Sequence, residues 1–258
     1  MSNATQIAKH LMAGWKSRSA YATLSGELAP ADLDQAYEAQ LALQDMANPV
    51  RGPLVGRKIA LAAKTMQEMC GIDQPIAGGI FANEVHHSPA QISMDTFVHL
   101  GLEFELALEL AHDVPPQNSP HDPQSVRDLI AAVRPAFELI EDRAADYTKL
   151  DVLTIVSDNA WCGGIVIGAP IENWQALDLD DLQSTVIQSD QPDELANTGA
   201  AAPLTSLAWV LNHFSGRGIT LQAGEQIITG SAARTRFPAR GDHFAYRVGG
   251  SVVELQVI

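Results

Sequence analysis

Helical patterns in the first half of the chain and strand patterns in the second half predict an α+β fold with a curved, largely antiparallel sheet. Apolar residues recur at four-residue steps from Ile7 to Trp15, as they do along an amphipathic helix. Residues 101–110 instead alternate apolar with mostly acidic side chains, which is the period of a half-buried strand. Short strand patterns separated by glycine-containing turns fill residues 225–258.

The elements divide into an N-terminal helical arm over residues 1–50 and one main domain over residues 51–258. The arm holds a helix over residues 5–21 and a second helix over residues 32–45, which Asp32 caps. A chain of 258 residues is expected to bury roughly three quarters of its unfolded surface. A main domain of this size can therefore enclose a sheltered site.

Proline and acidic residues mark the ends of several elements in the main domain. A strand over residues 55–61 precedes a short helix. Asp122 begins a helix with apolar residues at helical spacing, and Pro135 ends that helix. Pro203 begins the last helix, which continues through Phe214.

The composition excludes two classes of partner. The chain has 31 acidic and 16 basic residues and a net charge of −15, whereas nucleic-acid binding requires clustered Lys and Arg. No uncharged apolar run approaches the 18 or more residues of a membrane helix. A small anionic substrate would need a local positive centre in this negative field, which a divalent cation and a nearby Lys would supply.

The two cysteines, Cys70 and Cys162, lie far apart and form no CxxC pair or metal-ligand spacing. This usage is typical of free thiols in a reducing compartment. The N-terminal segment lacks the apolar core and the cleavage site of a secretory signal. We therefore expect a cytoplasmic protein.

The strand pattern of residues 101–110 carries candidate metal ligands. Glu103 and Glu105 lie on one face of the strand, about 7 Å apart, so their oxygens can converge on one point. Two converging carboxylates require a cation or a shared proton. The alternative interpretation is a solvated strand face whose acids only confer solubility.

A third acid favours the metal site. Glu138 lies within the apolar run Pro135–Ile140, where a carboxylate is costly unless it is paired or binds a metal. An all-oxygen donor set suits Mg²⁺ or Mn²⁺, and no Cys or His cluster that would favour zinc lies nearby.

Lys58 is a candidate acid or base because it lies on the short apolar strand of residues 55–61. Loss of hydration on such a strand lowers the pKa of a Lys and suits it to proton transfer. The alternative interpretation is a surface Lys at the end of a strand.

A series of short motifs carries a family resemblance, which extends from about Asp32 to the C-terminus. Their order and spacing resemble the 2-keto-4-pentenoate hydratase branch of the fumarylacetoacetate hydrolase superfamily. The motifs are Val-Gly-Arg-Lys ending at Lys58, Gly-Ile-Asp-Gln-Pro at 71–75, Leu-Glu-Phe-Glu at 102–105, Phe-Glu-Leu-Ile at 137–140 with Asp142 and Arg143, Ser-Asp-Asn-Ala at 157–160, Ala-Pro-Leu at 202–204 with Leu-Ala-Trp at 207–209, Ile-Ile-Thr-Gly at 227–230, and Pro-Ala-Arg-Gly-Asp at 238–242.

The resemblance implies a mixed β-sandwich or rolled β-barrel in which residues 51–258 form the catalytic domain. It also implies a Mg²⁺ or Mn²⁺ ion held by Glu103, Glu105 and Glu138, with Lys58 as the catalytic residue beside it. Such an ion would chelate the carboxylate and the C2 oxygen of a small 2-oxo acid and stabilise an enolate. The implied substrate contacts are Arg57, Asp73, Gln74, Ile76, Asp158, Trp161 and Thr229.

Three departures from the family pattern bear on the reaction. The chain has Ile76 where hydratases of this branch usually carry an acid, Trp161 where they have a small Ser, and Ala62 where Thr is common. Loss of a pocket acid weakens the activation of water, and a Trp reshapes the cavity.

The leading hypothesis is a metal-dependent lyase that hydrates a 2-hydroxy-2,4-dienoate, or its keto tautomer, to a 4-hydroxy-2-oxo acid. A 4-oxalocrotonate-type decarboxylase is the next alternative, favoured by the apolar Ile76. A C–C hydrolase of a related 2-oxo acid is third, because no Glu–His pair for activating water is evident. A degenerate homologue that binds metal or a 2-oxo acid without turnover is the fourth. The resemblance implies a homo-oligomer, or a complex with a related decarboxylase or hydratase.

Overall fold

The computed structural model describes residues 2–258, which contain five α-helices and twelve β-strands. The helices are α1 (Asn3–Ser17), α2 (Leu33–Arg51), α3 (Lys64–Met69), α4 (Val152–Ser157) and α5 (Pro203–Gly216). The strands are β1 (Leu54–Ala60), β2 (Ile76–Phe81), β3 (Val85–His87), β4 (Ala90–Ile92), β5 (Leu100–Leu110), β6 (Ile130–Glu141), β7 (Cys162–Ile167), β8 (Gln183–Gln188), β9 (Glu194–Asn197), β10 (Gln226–Ile228), β11 (His243–Val248) and β12 (Ser251–Val257).

The strands form two mixed sheets, which confirms the predicted α+β class. The larger sheet has the order β2-β1-β10-β5-β6-β7-β3, and the smaller sheet has the order β4-β12-β11-β8-β9. Strands β1 and β10, β3 and β7, and β4 and β12 are parallel, whereas all other neighbours are antiparallel. The two long strands β5 and β6 lie side by side near the middle of the larger sheet.

The main apolar core contains side chains from both sheets and from α5. Strand β5 contributes its even-numbered residues to this core, including Phe104, whose ring lies 5.6 Å from that of Phe137 and 5.8 Å from that of Tyr246. Burial of this face fixes the rotation of β5, because a shift by one residue would exchange its two faces. The odd-numbered acids of β5 must therefore point away from the main core.

The two N-terminal helices pack on each other and against the larger sheet. Asp32 caps α2 as predicted, because its side chain accepts a hydrogen bond from the backbone N–H of Gln35. Helix α2 is longer than predicted and ends at Arg51, followed by the capping residue Gly52, which has a φ of +80°. Gln40 of α2 donates to the backbone oxygens of Ala77 and Val156. The helices are thus anchored by hydrogen bonds as well as by apolar contacts.

The predicted helix between Asp122 and Pro135 is wrong. Only a 3₁₀ turn over Ser125–Leu129 forms, and β6 begins at Ile130. Pro135 lies inside this strand, where its carbonyl accepts a hydrogen bond from Gly168. Pairing with β5 on one side and β7 on the other overrides the local apolar spacing. No helix among residues 2–258 combines the length and the apolar character needed to cross a membrane.

A substitution at Gly56 tests whether β1 and β10 approach each other too closely for a side chain. A Cβ at this position would lie 2.3 Å from the backbone oxygen of Gln226. We expect Gly56→Ala to lower the free energy of unfolding by about 2 kcal/mol through overpacking. Gly216→Ala is the control, since it meets no atom within 4 Å and Ala is favoured in a helix. Urea unfolding measures both, and equal stability of the two variants would contradict the expectation.

Candidate metal centre and adjoining cavity

The pairing register of β5 and β6 brings three carboxylates together. Glu103 lies directly opposite Glu138, and Glu105 follows two residues along on the same face of β5. Side chains directly opposite in an antiparallel pair have Cβ atoms about 4.5–5.5 Å apart. Each of the three acids offers one carboxylate oxygen, and these oxygens lie within 4.8 Å of one another. The convergence predicted from the sequence is thus present in the fold.

The acidic face of β5 is not a solvated surface. Glu105 and Glu138 are both fully buried, and Glu103 is partly exposed. Apolar residues on the same face of the sheet form a small cluster around the acids and exclude water: Ile80, Ala107, Ala136, Cys162, Ile165, Ile167 and Ile228. The interpretation of these acids as a solubilising face is therefore wrong for Glu105.

Lys58 of β1 reaches the same centre. Its Nζ lies 2.8 Å from Oε1 of Glu138 and donates a 2.9 Å hydrogen bond to the backbone oxygen of Ala160. Burial alone would lower the pKa of Lys58, but the attraction of Glu138 and the other nearby groups outweighs it, so the pKa is raised. The expected lowering of this pKa is wrong for the metal-free protein, where Lys58 is an ammonium group.

The carboxylates are electrostatically strained without a cation. Burial and the nearby charges of Glu138 and Glu103 raise the pKa of Glu105 well above its usual value. Burial also raises the pKa of Glu138 to about 7, although Lys58 opposes this shift. Buried acids with such pKa values hold a proton unless a positive charge replaces it.

The donor set fits a divalent cation. The N–H of Gly230 donates to Oε2 of Glu105, and the hydroxyl of Thr235 donates to Oε1 of Glu103, each at 2.6 Å. Oε1 of Glu105 and Oε2 of Glu138 have no hydrogen-bond partner in the described chain. When all three acids are ionised, the single positive charge of Lys58 leaves two negative charges, which a divalent cation neutralises. All donors are oxygens, which suits a hard cation such as Mg²⁺, Mn²⁺ or Ca²⁺.

A cavity of about 610 Å³ adjoins this centre. Lys58 and Glu103 line it, together with Gly230 and Ser231 from the segment after β10. Most of its remaining surface is hydrocarbon. Trp161, which the sequence places among the substrate contacts, also lines this cavity. A volume of this size falls within the range of small-molecule binding sites.

Other predicted contacts lie outside the cavity. Arg57 is on the opposite face of β1 from Lys58, because successive strand residues alternate, and it pairs with Glu225 at 3.1 Å. The hydroxyl of Thr229 donates to the backbone of β5 rather than entering the cavity. Asp73 and Gln74 are exposed in the turn between α3 and β2 and do not line the cavity.

Ile76 and Asp158 lie behind the cavity wall. Ile76 is fully buried in a cluster with Tyr37 and residues of α4. Asp158 forms a buried ion pair with Arg143 and accepts a 2.7 Å hydrogen bond from the indole N–H of Trp15. Burial raises the pKa of Asp158 to about 6, against the lowering effect of Arg143. Both predicted residues therefore support the wall without forming part of it.

The structure adds three groups that the sequence did not indicate. Thr235 orients Glu103, the backbone oxygen of Ala160 fixes Lys58, and Tyr147 lines the cavity. Hydroxyl residues follow Gly230 directly after a strand, and such residues can donate hydrogen bonds. This pattern could have indicated Thr235 from the sequence. A backbone carbonyl leaves no signal in the sequence.

Comparison with known proteins shows relatives over nearly the whole chain, although no family model matches it. The chain is 26% identical over 250 residues to a 2-keto-4-pentenoate hydratase from Paraburkholderia xenovorans, covering 95% of this chain and 91% of that protein. It is 28% identical over 251 residues to a 2-oxo-hept-4-ene-1,7-dioate hydratase from Escherichia coli, covering 93% of this chain and 92% of that protein.

Solved structures show the same fold. A 4-oxalocrotonate decarboxylase from Pseudomonas putida, complexed with magnesium and adipate, matches with a TM-score of 0.89 and 22% identity, covering 99% of this chain and 97% of that chain. A fumarylacetoacetate hydrolase family protein from Yersinia pestis matches with a TM-score of 0.57 and 15% identity, covering 79% and 93%. The predicted fold type is thus confirmed, and the chain is similar in sequence to 2-keto-4-pentenoate hydratases, as its motifs indicated.

Proposed function

We propose that this protein is a divalent-metal-dependent lyase that hydrates a 2-hydroxy-2,4-dienoate, or its keto tautomer, to a 4-hydroxy-2-oxo acid. The observation that carries the proposal is the convergence of three carboxylates and a buried Lys beside a largely apolar cavity, which Lys58 and Glu103 line. The relatives named as hydratases support the same reaction class.

Glu103, Glu105 and Glu138 would hold the cation, for which Mg²⁺ or Mn²⁺ suits the oxygen donors. When bound, the cation supplies a positive charge that attracts the carboxylate and the 2-oxygen of the substrate. Gly230 and Thr235 hold two of the carboxylates in place by hydrogen bonds. This local arrangement lets a protein of net charge −15 bind a small anion.

Lys58 is the proton-handling group in this proposal. Its ammonium group faces the same end of the cavity and is held by Glu138 and by the oxygen of Ala160. In the net reaction of a five-carbon 2-hydroxy-2,4-dienoate, the 2-oxygen loses its enol proton, C3 and C5 each gain a proton, and the hydroxyl of water bonds to C4. Lys58 steadies negative charge on the substrate and delivers or receives a proton.

The alternatives have weaker structural support. No His lines the cavity among residues 2–258, so the His of a water-activating Glu–His pair for C–C hydrolysis is missing. The apolar Ile76 favours decarboxylation only if it meets the substrate, and it lies behind the wall. The homo-oligomeric state, a complex with a related decarboxylase or hydratase, the cytoplasmic location and the division of the chain at residue 50 stay predictions.

Product analysis tests the reaction directly. With Mg²⁺ and 2-hydroxypenta-2,4-dienoate we expect loss of the dienoate absorbance and formation of 4-hydroxy-2-oxopentanoate. With 4-oxalocrotonate we expect no release of carbon dioxide. Carbon dioxide release without a water adduct would replace hydration by decarboxylation. Inactivity on both substrates, with Mg²⁺ and with Mn²⁺, would favour a protein that binds a metal or a 2-oxo acid without turnover.

Lys58→Met tests the proton-handling role while keeping a long side chain. We expect kcat/KM for the dienoate to fall about 100-fold or more, as is typical for the loss of an acid or base. Lys64→Met is the matched control, because Lys64 is an exposed residue at the start of α3. Steady-state kinetics at saturating Mg²⁺ measures both variants. Equal rates in the two variants would remove Lys58 from the reaction.

Glu105→Gln tests the metal site. We expect Mg²⁺ and Mn²⁺ binding to be lost in titration calorimetry, while the melting temperature of the metal-free protein is kept or raised because carboxylate repulsion is relieved. Glu109→Gln, on the same face of β5 but paired with Arg134, should keep metal binding. A variant that melts early with and without metal would mark Glu105 as structural instead.

Metal affinity should rise with pH. The pKa of Glu138 is raised to about 7, so this group is mostly protonated at pH 6 and mostly ionised at pH 8 in the metal-free protein. A cation must displace that proton, and we expect Mg²⁺ to bind about tenfold more tightly at pH 8 than at pH 6. Calorimetry in buffers of different ionisation enthalpy measures the released protons. Binding that is independent of pH and releases no protons would contradict this account.

A further inference from the structure

The cavity has an uneven distribution of charge. Its charged lining residues are Lys58, Glu103, Glu194 and Arg234. The first two belong to the candidate metal centre, and Glu194 is paired with Arg236. Arg234 is exposed, and the described structure gives it no acidic partner. Within the described chain Arg234 is therefore the one lining cation outside the metal centre that has no acidic partner, and its exposure places it toward solvent rather than among the buried apolar residues.

Apart from the indole N–H of Trp161, which has no hydrogen-bond partner in the described chain, one part of the cavity lining is hydrocarbon. This apolar wall consists of Leu61, Met66, Leu150, Ile155 and Trp161, with several alanines between them. The wall contains residues from three parts of the chain: the segment from β1 to α3, the segment leading into α4, and the turn before β7. Its apolar character is thus a property of the fold and not of one segment.

Trp161 packs against two tyrosine rings in this wall. Its ring meets Tyr21 edge-on at 5.2 Å and Tyr147 at 5.9 Å. Its backbone has a φ of +58°, which a bulky residue adopts only when its surroundings impose it. These contacts hold the face of the ring against the cavity.

We propose that the apolar wall selects substrates whose carbon chain ends in an uncharged hydrocarbon group, and rejects those that end in a second carboxylate. The inference rests on the proposed function, since the metal centre must hold the 2-oxo acid end for the other end to reach the wall. Each methylene that the wall removes from water strengthens binding by about fourfold. A carboxylate there would lose hydration without gaining a cation.

Saturated 2-oxo acids test the selection without turnover, because they contain no double bond to hydrate. Binding of 2-oxobutanoate, 2-oxoheptanoate and 2-oxoadipate to the Mg²⁺-loaded protein is measured by calorimetry. We expect 2-oxoheptanoate to bind about tenfold or more tightly than 2-oxobutanoate and about 100-fold more tightly than 2-oxoadipate. Equal or tighter binding of 2-oxoadipate would overturn the proposal.

A charge placed in the wall provides a second test. Met66→Lys should shift the ratio of the two long ligands toward 2-oxoadipate by about tenfold or more. Met69→Lys is the matched control, because it adds the same charge to the same helix at an exposed residue outside the cavity lining. An unchanged ratio in Met66→Lys would show that the chain end does not meet this wall and would overturn the proposal.

The variant Arg234→Gln tests whether a second carboxylate binds at Arg234, which is the exposed cation of the cavity lining. We expect this variant to weaken 2-oxobutanoate and 2-oxoheptanoate by the same factor, and the doubly charged 2-oxoadipate by no more than the square of that factor, since an exposed cation acts in proportion to the charge of the ligand. Loss of 2-oxoadipate binding beyond that factor would make Arg234 a site for a second carboxylate and would overturn the proposal.

Parallel assays of dienoate hydration distinguish the possible failures. Hydration together with a preference for the diacid would refute only the selection by the wall. Absence of both hydration and 2-oxo acid binding would refute the proposed function and this inference with it.

Discussion

The pairing of β5 with β6 is the constraint on which the site depends. It sets Glu103 opposite Glu138, and like charges in this position oppose strand pairing. The sheet nevertheless keeps this register because the other face of β5, with Phe104 near its middle, is buried in the main core. A shift by one residue would expose that face, so the energy of the core holds the acids together. The repulsion between the carboxylates is therefore concentrated at the point where a bound cation can relieve it.

Several contacts offset the repulsion without removing it. Lys58 supplies one positive charge from β1, while Gly230 and Thr235 donate hydrogen bonds to two of the carboxylates. Two carboxylate oxygens still lack a partner in the described chain. A buried charge that is partly compensated costs several kcal/mol, which makes such a cluster unusual unless it has a function. The neighbouring cavity turns this negative centre into a candidate site for a cation and an anionic ligand together.

The segment from Asn159 to Trp161 connects the N-terminal helices to this site. All three residues have positive φ values, a conformation that costs on the order of 1 kcal/mol or more for each residue. The side chain of Asn159 bonds to both backbone groups of Gly79 and to Gln44 of α2. Asp158, just before the segment, bonds to Trp15 of α1. These contacts hold a conformation that aims the Ala160 carbonyl at Lys58 and the Trp161 ring into the cavity.

By itself, the sequence determined the strand over residues 101–110, its two faces, and the cost of Glu138 in an apolar run, because alternation and burial cost are local properties. Only the tertiary structure decided which acids meet, since register depends on a partner strand that is distant in the chain: Glu138, opposite Glu103, lies 35 residues after it. It also decided that Lys58, and not the adjacent Arg57, lies on the face of β1 that meets the acids. The helix expected after Asp122 does not form for the same reason, because pairing with β5 and β7 makes the segment from Ile130 a strand. A pattern of apolar residues indicates that a segment is buried. The strands or helices that pack beside the segment decide its conformation and which groups its polar side chains can contact.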